Sequence, residues 1–134
     1  MKKRWLRMEW NNAPDIKKRV LRLIKDVNLE SLNSSNIHFF RSCNSSSRAY
    51  ARIWGLSKVW QKALKTDPAY IIEVLSERFD KLSENEKDKV LLHELAHVPK
   101  NFSGSLLPHS KKGKRNFNDK VEELFREYLR KTKT

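Results

Sequence analysis

The sequence predicts an α+β fold from three features. A basic amphipathic helix lies near the N-terminus, short β-branched and aromatic runs occupy residues 37–76, and two further helical segments follow. At 134 residues the chain matches one ordinary domain and is too short for two independent cores. Residues 1–134 therefore read as one domain with a basic N-terminal segment. Only 38% of residues are hydrophobic, yet four Trp, three Tyr and six Phe supply the large apolar side chains that a core needs.

Pro14-Asp15 can open the first helix, because proline is tolerated in a first turn. Ile16, Val20, Leu23, Ile24 and Val27 then recur at helical spacing, with Lys17, Lys18, Arg19, Arg22 and Lys25 on the opposite face. After a polar connection, Ile37-His-Phe-Phe-Arg41 is a short aromatic strand. Ala49-Tyr-Ala-Arg-Ile-Trp54 and Val59-Trp-Gln-Lys-Ala-Leu64 are expected to pair as a hairpin, with Trp54 and Trp60 in the core. Tyr70-Ile-Ile-Glu-Val-Leu-Ser76 reads as a fourth strand, a helix from Pro68 being the alternative. The small sheet thus has three or four strands.

Ser83-Glu-Asn-Glu86 is a capping box, in which the Ser hydroxyl and the Glu carboxylate satisfy orphan backbone donors reciprocally. It launches a helix over 87–98 that Pro99 stops. Val90, Leu91, Leu92, Leu95 and Ala96 make its second half apolar nearly all round, the pattern of a buried helix. A last amphipathic helix starts at about Asn118, with Val121, Leu124, Phe125, Tyr128 and Leu129 inward.

The buried helix carries His93-Glu-Leu-Ala-His97. Residues four apart on a helix lie only ~40° apart around its axis, so both imidazoles leave from one face. Neutral imidazole suits zinc, and two such ligands on a rigid helix make half a tetrahedral site. Glu94, one position on, stands beside such a metal, where it can take a proton from attacking water and hand it to a leaving amine. Bare H-E-x-x-H is common by chance, but here it lies on a capped, buried helix, the context the motif requires. His109 is the candidate third ligand, returned toward the helix by a segment with Pro99, Gly104 and Pro108. Glu122 or Glu123, on the last helix, could take its place. One zinc ion per chain is the expected cofactor.

The stretch from His93 to His109 resembles the phage metallopeptidase family of archaea and phages. More distantly it resembles the SprT-like zincins, which include proteases acting on DNA–protein crosslinks. The resemblance covers roughly residues 36–130, only the 93–109 stretch being specific. It implies a zincin-like fold, His93, His97 and His109 as zinc ligands, and Glu94 as catalytic. It also implies an edge strand before the active helix, a role that Tyr70–Ser76 would fill by pairing with an extended peptide. Ser110 stands where the SprT-like group has glycine, which weakens the link to crosslink repair.

The function expected is zinc-dependent peptide-bond hydrolysis on a protein or peptide substrate. Hydrolysis of an RNA phosphodiester is one rival, although small three-histidine ribonucleases space their ligands more tightly. A non-catalytic nucleic-acid-binding module with structural zinc is the other, and such a site has no need of Glu94. Tyr70 and Tyr128 are candidate oxyanion stabilisers.

Net charge is +13, and residues 1–65 hold 15 Lys/Arg against 4 Asp/Glu. Such a field attracts polyanions, chiefly DNA or RNA. The first-helix set Lys17, Lys18, Arg22 and Lys25 and the cluster Lys111, Lys112, Lys114 and Arg115 are the candidate contacts. Trp5 and Trp10 could stack on bases or anchor the N-terminus. Cys43, the single cysteine, excludes an internal disulfide and reads as a half-buried strand-end residue; His38 and the Ser45–Ser47 run carry no chemistry. The charged start lacks an apolar run of signal length, and no stretch has transmembrane length, so a soluble cytoplasmic protein without membrane contact is expected.

Overall fold

The computed structural model describes residues 7–109 and 117–132. Chain order is β1 (Glu9–Asn12), α1 (Pro14–Asp26), a 3₁₀ turn at Ser34–Asn36, β2 (Ile37–Cys43), β3 (Ala51–Gly55), α2 (Lys58–Leu64), β4 (Tyr70–Leu75), α3 (Ser76–Phe79), α4 (Glu84–Ala96) and α5 (Phe117–Thr132). The architecture is α+β. The four strands form one mixed sheet in the order β1-β2-β4-β3, with β2 and β4 parallel and the outer pairs antiparallel.

Alternation along the strands separates two faces. Ile37 and Phe39 of β2, Ala51 of β3, and Tyr70, Ile72 and Val74 of β4 are buried beneath the helices. α1 and α4 pack on that face, and α5 packs on both of them. α1 buries Ile16, Val20, Leu23 and Ile24, the stripe its spacing predicts, and α4 buries Leu91, Leu92, Leu95 and Ala96 in the second half that reads as apolar nearly all round. α5 buries Phe117, Leu124 and Tyr128, whereas Leu129 is exposed.

Three expectations are corrected, and one strand is added. The segment 58–64 is helix α2, not the second strand of a hairpin. β3 finds its partner in β4, with Ala51 opposite Val74 and Gly55 opposite Tyr70, and its other edge is unpaired among the described residues. None of α2 is buried, and Trp60 and Trp54 are 59% and 45% exposed, so neither tryptophan is core. β4 lies inside the sheet between β2 and β3 and cannot serve as the edge; its near-continuous apolar run is that of a strand paired on both sides. Finally, Glu9–Asn12 forms an edge strand whose four exposed, mostly polar residues show no period.

Cys43 is half-buried at the end of β2, and His38 is exposed. No helix among the described residues is long and apolar enough to cross a membrane.

Candidate metal centre

The site is built on α4, which is fixed at both ends. At its N-terminus the Ser83 hydroxyl accepts from the Glu86 backbone N–H at 3.2 Å, and the Glu86 carboxylate accepts from the Ser83 N–H at 3.1 Å. One turn in, buried Asp88 accepts from Arg19 at 2.8 Å, Arg22 at 3.1 Å and the Tyr128 hydroxyl at 2.6 Å. One carboxylate thereby ties α4 to α1 and α5.

The last turn presents His93 and Glu94, and His97 is the C-cap residue. Residues 97–109 then double back. The Leu107 N–H donates to the His97 carbonyl at 2.7 Å, and His97 Nδ1 lies 2.6 Å from the Leu107 carbonyl. A carbonyl only accepts, so Nδ1 carries the proton and Nε2 is left with its lone pair, the tautomer a metal ligand needs.

This return is clamped to the sheet. The Tyr70 hydroxyl accepts from the Gly104 N–H and donates to the Ser105 carbonyl, each at 2.8 Å. Gln61 donates to the Leu56 and Ser103 carbonyls, and the Phe102 ring meets Tyr70 edge-on. Gly104 has a φ of +96°, a region that glycine adopts without strain. A Cβ on Gly55 would lie 2.1 Å from the Gly104 carbonyl oxygen, so the two segments meet only because position 55 lacks a side chain. Gly55→Ala is therefore expected to push residues 103–105 away and displace His109, with the sheet retained. Metal affinity should fall by roughly 10- to 100-fold, the scale seen when supporting groups of a metal site are lost. Competition against a chromogenic chelator measures this, and unchanged affinity would show that the contact does not place His109.

The clamp brings His93, His97 and His109 together, with one nitrogen from each mutually within 4.8 Å. His93 Nε2 and His109 Nε2 are 3.1 Å apart. Two nitrogens on one tetrahedral zinc, each ~2.0–2.1 Å from it, sit about 3.3 Å from one another, so the pair fits a shared ion. Burial, with the neighbouring His97 and His109, pushes His93 down to about 4; burial also lowers His97. The two imidazoles are accordingly neutral near pH 7 and able to bind a cation. Phe117 packs against all three rings, stacked on His97 at 4.2 Å between centroids and edge-on to His93 and His109.

Glu94 is 9% exposed, and burial alone pushes its carboxyl up to about 7. It lines a cleft of about 300 Å³ with Tyr50, Ala51, Lys89, Val90 and His93. The cleft runs between α4 and the start of β3. Among the described residues β3 pairs only with β4, so the sheet edge beside the site is β3.

The family model described as "Putative phage metallopeptidase" matches residues 8–130. The chain belongs to that family. No curated protein and no solved structure matches it. The family's description is that of a metal-dependent peptidase, and the three-histidine cluster suits a metal ion.

Glu122 and Glu123 are exposed on α5 and are not in the cluster. The two tyrosines do not face the site as oxyanion donors: Tyr70 is engaged by the loop, and Tyr128 by Asn85 and Asp88. Of the candidate nucleic-acid contacts, Lys17, Lys18 and Lys25 are exposed on α1, whereas Arg22 is paired with Asp88. Lys111, Lys112, Lys114 and Arg115 lie outside the described residues, as do Trp5 and Ser110. Phe117 and the Leu107 carbonyl were not foreseen. Phe117 was legible, since it extends the spacing of Val121, Leu124, Phe125 and Tyr128 by one turn.

Proposed function

We propose that the protein is a zinc-dependent peptidase, with His93, His97 and His109 as zinc ligands and Glu94 as general base and then acid. The observation that carries this reading is the convergence of three imidazole nitrogens beside one buried carboxyl with no hydrogen-bond partner among the described residues. Three nitrogen ligands leave a fourth position open, the arrangement of catalytic rather than closed structural zinc. A zinc ion held there would supply Lewis acidity to the substrate carbonyl and acidify water at the open position.

The chain's own residues supply the rest. His97, oriented by the Leu107 carbonyl, and His93, fixed on α4, would hold the ion. Glu94 accepts the proton of the attacking water and returns it to the departing amine. The unpaired edge of β3 offers backbone groups on which an extended peptide can lie across the cleft. The SprT-like resemblance favours proteins held on nucleic acid as substrates.

The test is turnover of an unstructured protein such as casein by zinc-loaded protein. Cleavage should stop on chelation and return when zinc is restored. Cleavage that persists in chelator would remove the metal from the mechanism.

A further inference from the structure

Between Arg41 and Thr66 the chain has six Lys/Arg and no Asp/Glu, interleaved with Tyr50, Trp54 and Trp60. Sheet alternation decides where part of this segment points. Trp54 and Arg52 of β3 share a face with Ile71 and Glu73 of β4, Phe40 of β2 and Trp10 of β1, the face opposite α1 and α4. Trp10 is 47% exposed, and its ring meets that of Trp54 edge-on at 6.3 Å. With Phe40 and Ile71 the two indoles line an apolar hollow of about 430 Å³.

The Trp54 ring is held in place by a polar group that the proposed peptidase chemistry does not use. Glu73 is fully buried in the middle of the face. It accepts from Trp54 Nε1 at 2.9 Å, from Arg52 Nε at 2.8 Å and from the Ser42 hydroxyl. The Arg52 guanidinium lies over the Trp54 ring, 5.3 Å from its centroid. Burial raises the Glu73 carboxyl, but the hydrogen bonds from Arg52, Ser42 and Trp54 outweigh it and keep the group ionised below the usual range. Trp54 thus has its N–H committed inward and its ring half exposed, and Arg52 is stacked beside it. Three residues beyond Gly55, α2 adds exposed Lys58, Trp60 and Lys62.

We propose that this sheet face is a single-stranded nucleic-acid site, with bases stacking on Trp54 and Trp10 and phosphates held by Arg52, Lys58 and Lys62. Aromatic platforms bordered by cations are the arrangement that takes unpaired bases, whose ring faces a duplex hides. The acid-free run from 41 to 66 complements a phosphate backbone. An indole whose N–H is bonded to a buried carboxylate has no polar end left for a lipid headgroup region, which disfavours a membrane. The site lies on the opposite face of the sheet from α1, so it is separate from Lys17, Lys18 and Lys25. It does not depend on the peptidase reading.

Fluorescence anisotropy of a labelled oligothymidylate tests it, with zinc-loaded full-length protein and a salt series. Trp54→Ala and Trp10→Ala should each weaken binding at least about fivefold, the lower end of the stacking contribution per base. Trp54→Phe should retain most of it, and Trp10→Ala should melt as the wild type does. Trp54→Ala and Trp54→Phe both remove the donor to buried Glu73 and should lose comparable stability, so the difference in binding between them reads the stacking. Glu94→Gln should bind like the wild type. Lys17→Glu/Lys18→Glu/Lys25→Glu should cost less than either tryptophan change at physiological salt, where charges beyond a Debye length of ~8 Å are screened. Unchanged binding by a Trp10→Ala/Trp54→Ala double variant would overturn the proposal. So would loss confined to the α1 variant, absence of binding even at low salt, or binding of phosphatidylserine vesicles but not of the oligonucleotide.

Discussion

Replacing His97 by alanine is expected to take the protein from one zinc ion per chain to trace metal, and to loosen the metal-free protein as well. The first effect follows from ligand count, since two imidazoles do not hold zinc as three do. The second follows from the other side of the ring. His97 donates through Nδ1 to the Leu107 carbonyl and stacks on Phe117, so it helps close the return that carries His109. A net hydrogen bond contributes about 0.5–1.5 kcal/mol, and the stacking adds to it. His93→Ala should lose metal equally, yet its ring makes no hydrogen bond to the return other than through His109. In chelator, therefore, His97→Ala should melt below the wild type and His93→Ala close to it. Elemental analysis of the purified variants measures the metal, and thermal melts in chelator measure the rest. Stoichiometric zinc in a His93→Ala/His97→Ala double variant would remove these residues from the site.

The parts of this fold that were legible in the sequence are those set by local physics. α1 announces itself by spacing and by Pro14, α4 by its capping box, and α5 by a five-residue apolar stripe. His93, Glu94 and His97 belong to this class, because helix geometry alone puts the two imidazoles on one side. What was not legible depends on partners distant in sequence. Val59 and Trp60 resemble strand residues, but β3 pairs with β4 rather than with this segment, which forms a helix with no buried residue. β1 has no pattern of its own and exists because β2 offers it an edge. The placement of β4 inside the sheet makes β3 the edge strand beside the cleft, a consequence of topology that no single segment encodes. The same holds for His109. Its place in the cluster rests on Tyr70, Gln61 and a glycine–glycine approach between β3 and the loop. Trp54 reads as core from composition, and it is exposed because neither α1 nor α4 packs on that side of the sheet.

Glu94→Gln should separate metal binding from hydrolysis. Glutamine keeps the volume and shape of the side chain, so zinc content and fold should be retained. Its amide cannot accept a proton from water as a carboxylate does, so turnover of casein should fall at least ~100-fold, the usual scale for loss of a general base. A second readout comes from the burial of this carboxyl. Its value rises from the ordinary 4.5 to about 7 on folding of the metal-free chain. The folded state thus favours the protonated acid. Below about pH 4.5 the shift costs nothing; as pH rises toward about 7 the unfolded chain ionises first, and the folded form loses stability relative to it. Glutamine cannot ionise and escapes that loss. In chelator the variant should therefore melt with the wild type at low pH and above it at pH 8, the trade expected where an active-site group is held in an unfavourable setting. Differential scanning calorimetry at the two pH values, beside the casein assay, measures both effects. A variant that turns over casein like the wild type would place the base elsewhere. One that loses turnover together with its zinc would make Glu94 a support of the metal site rather than its base.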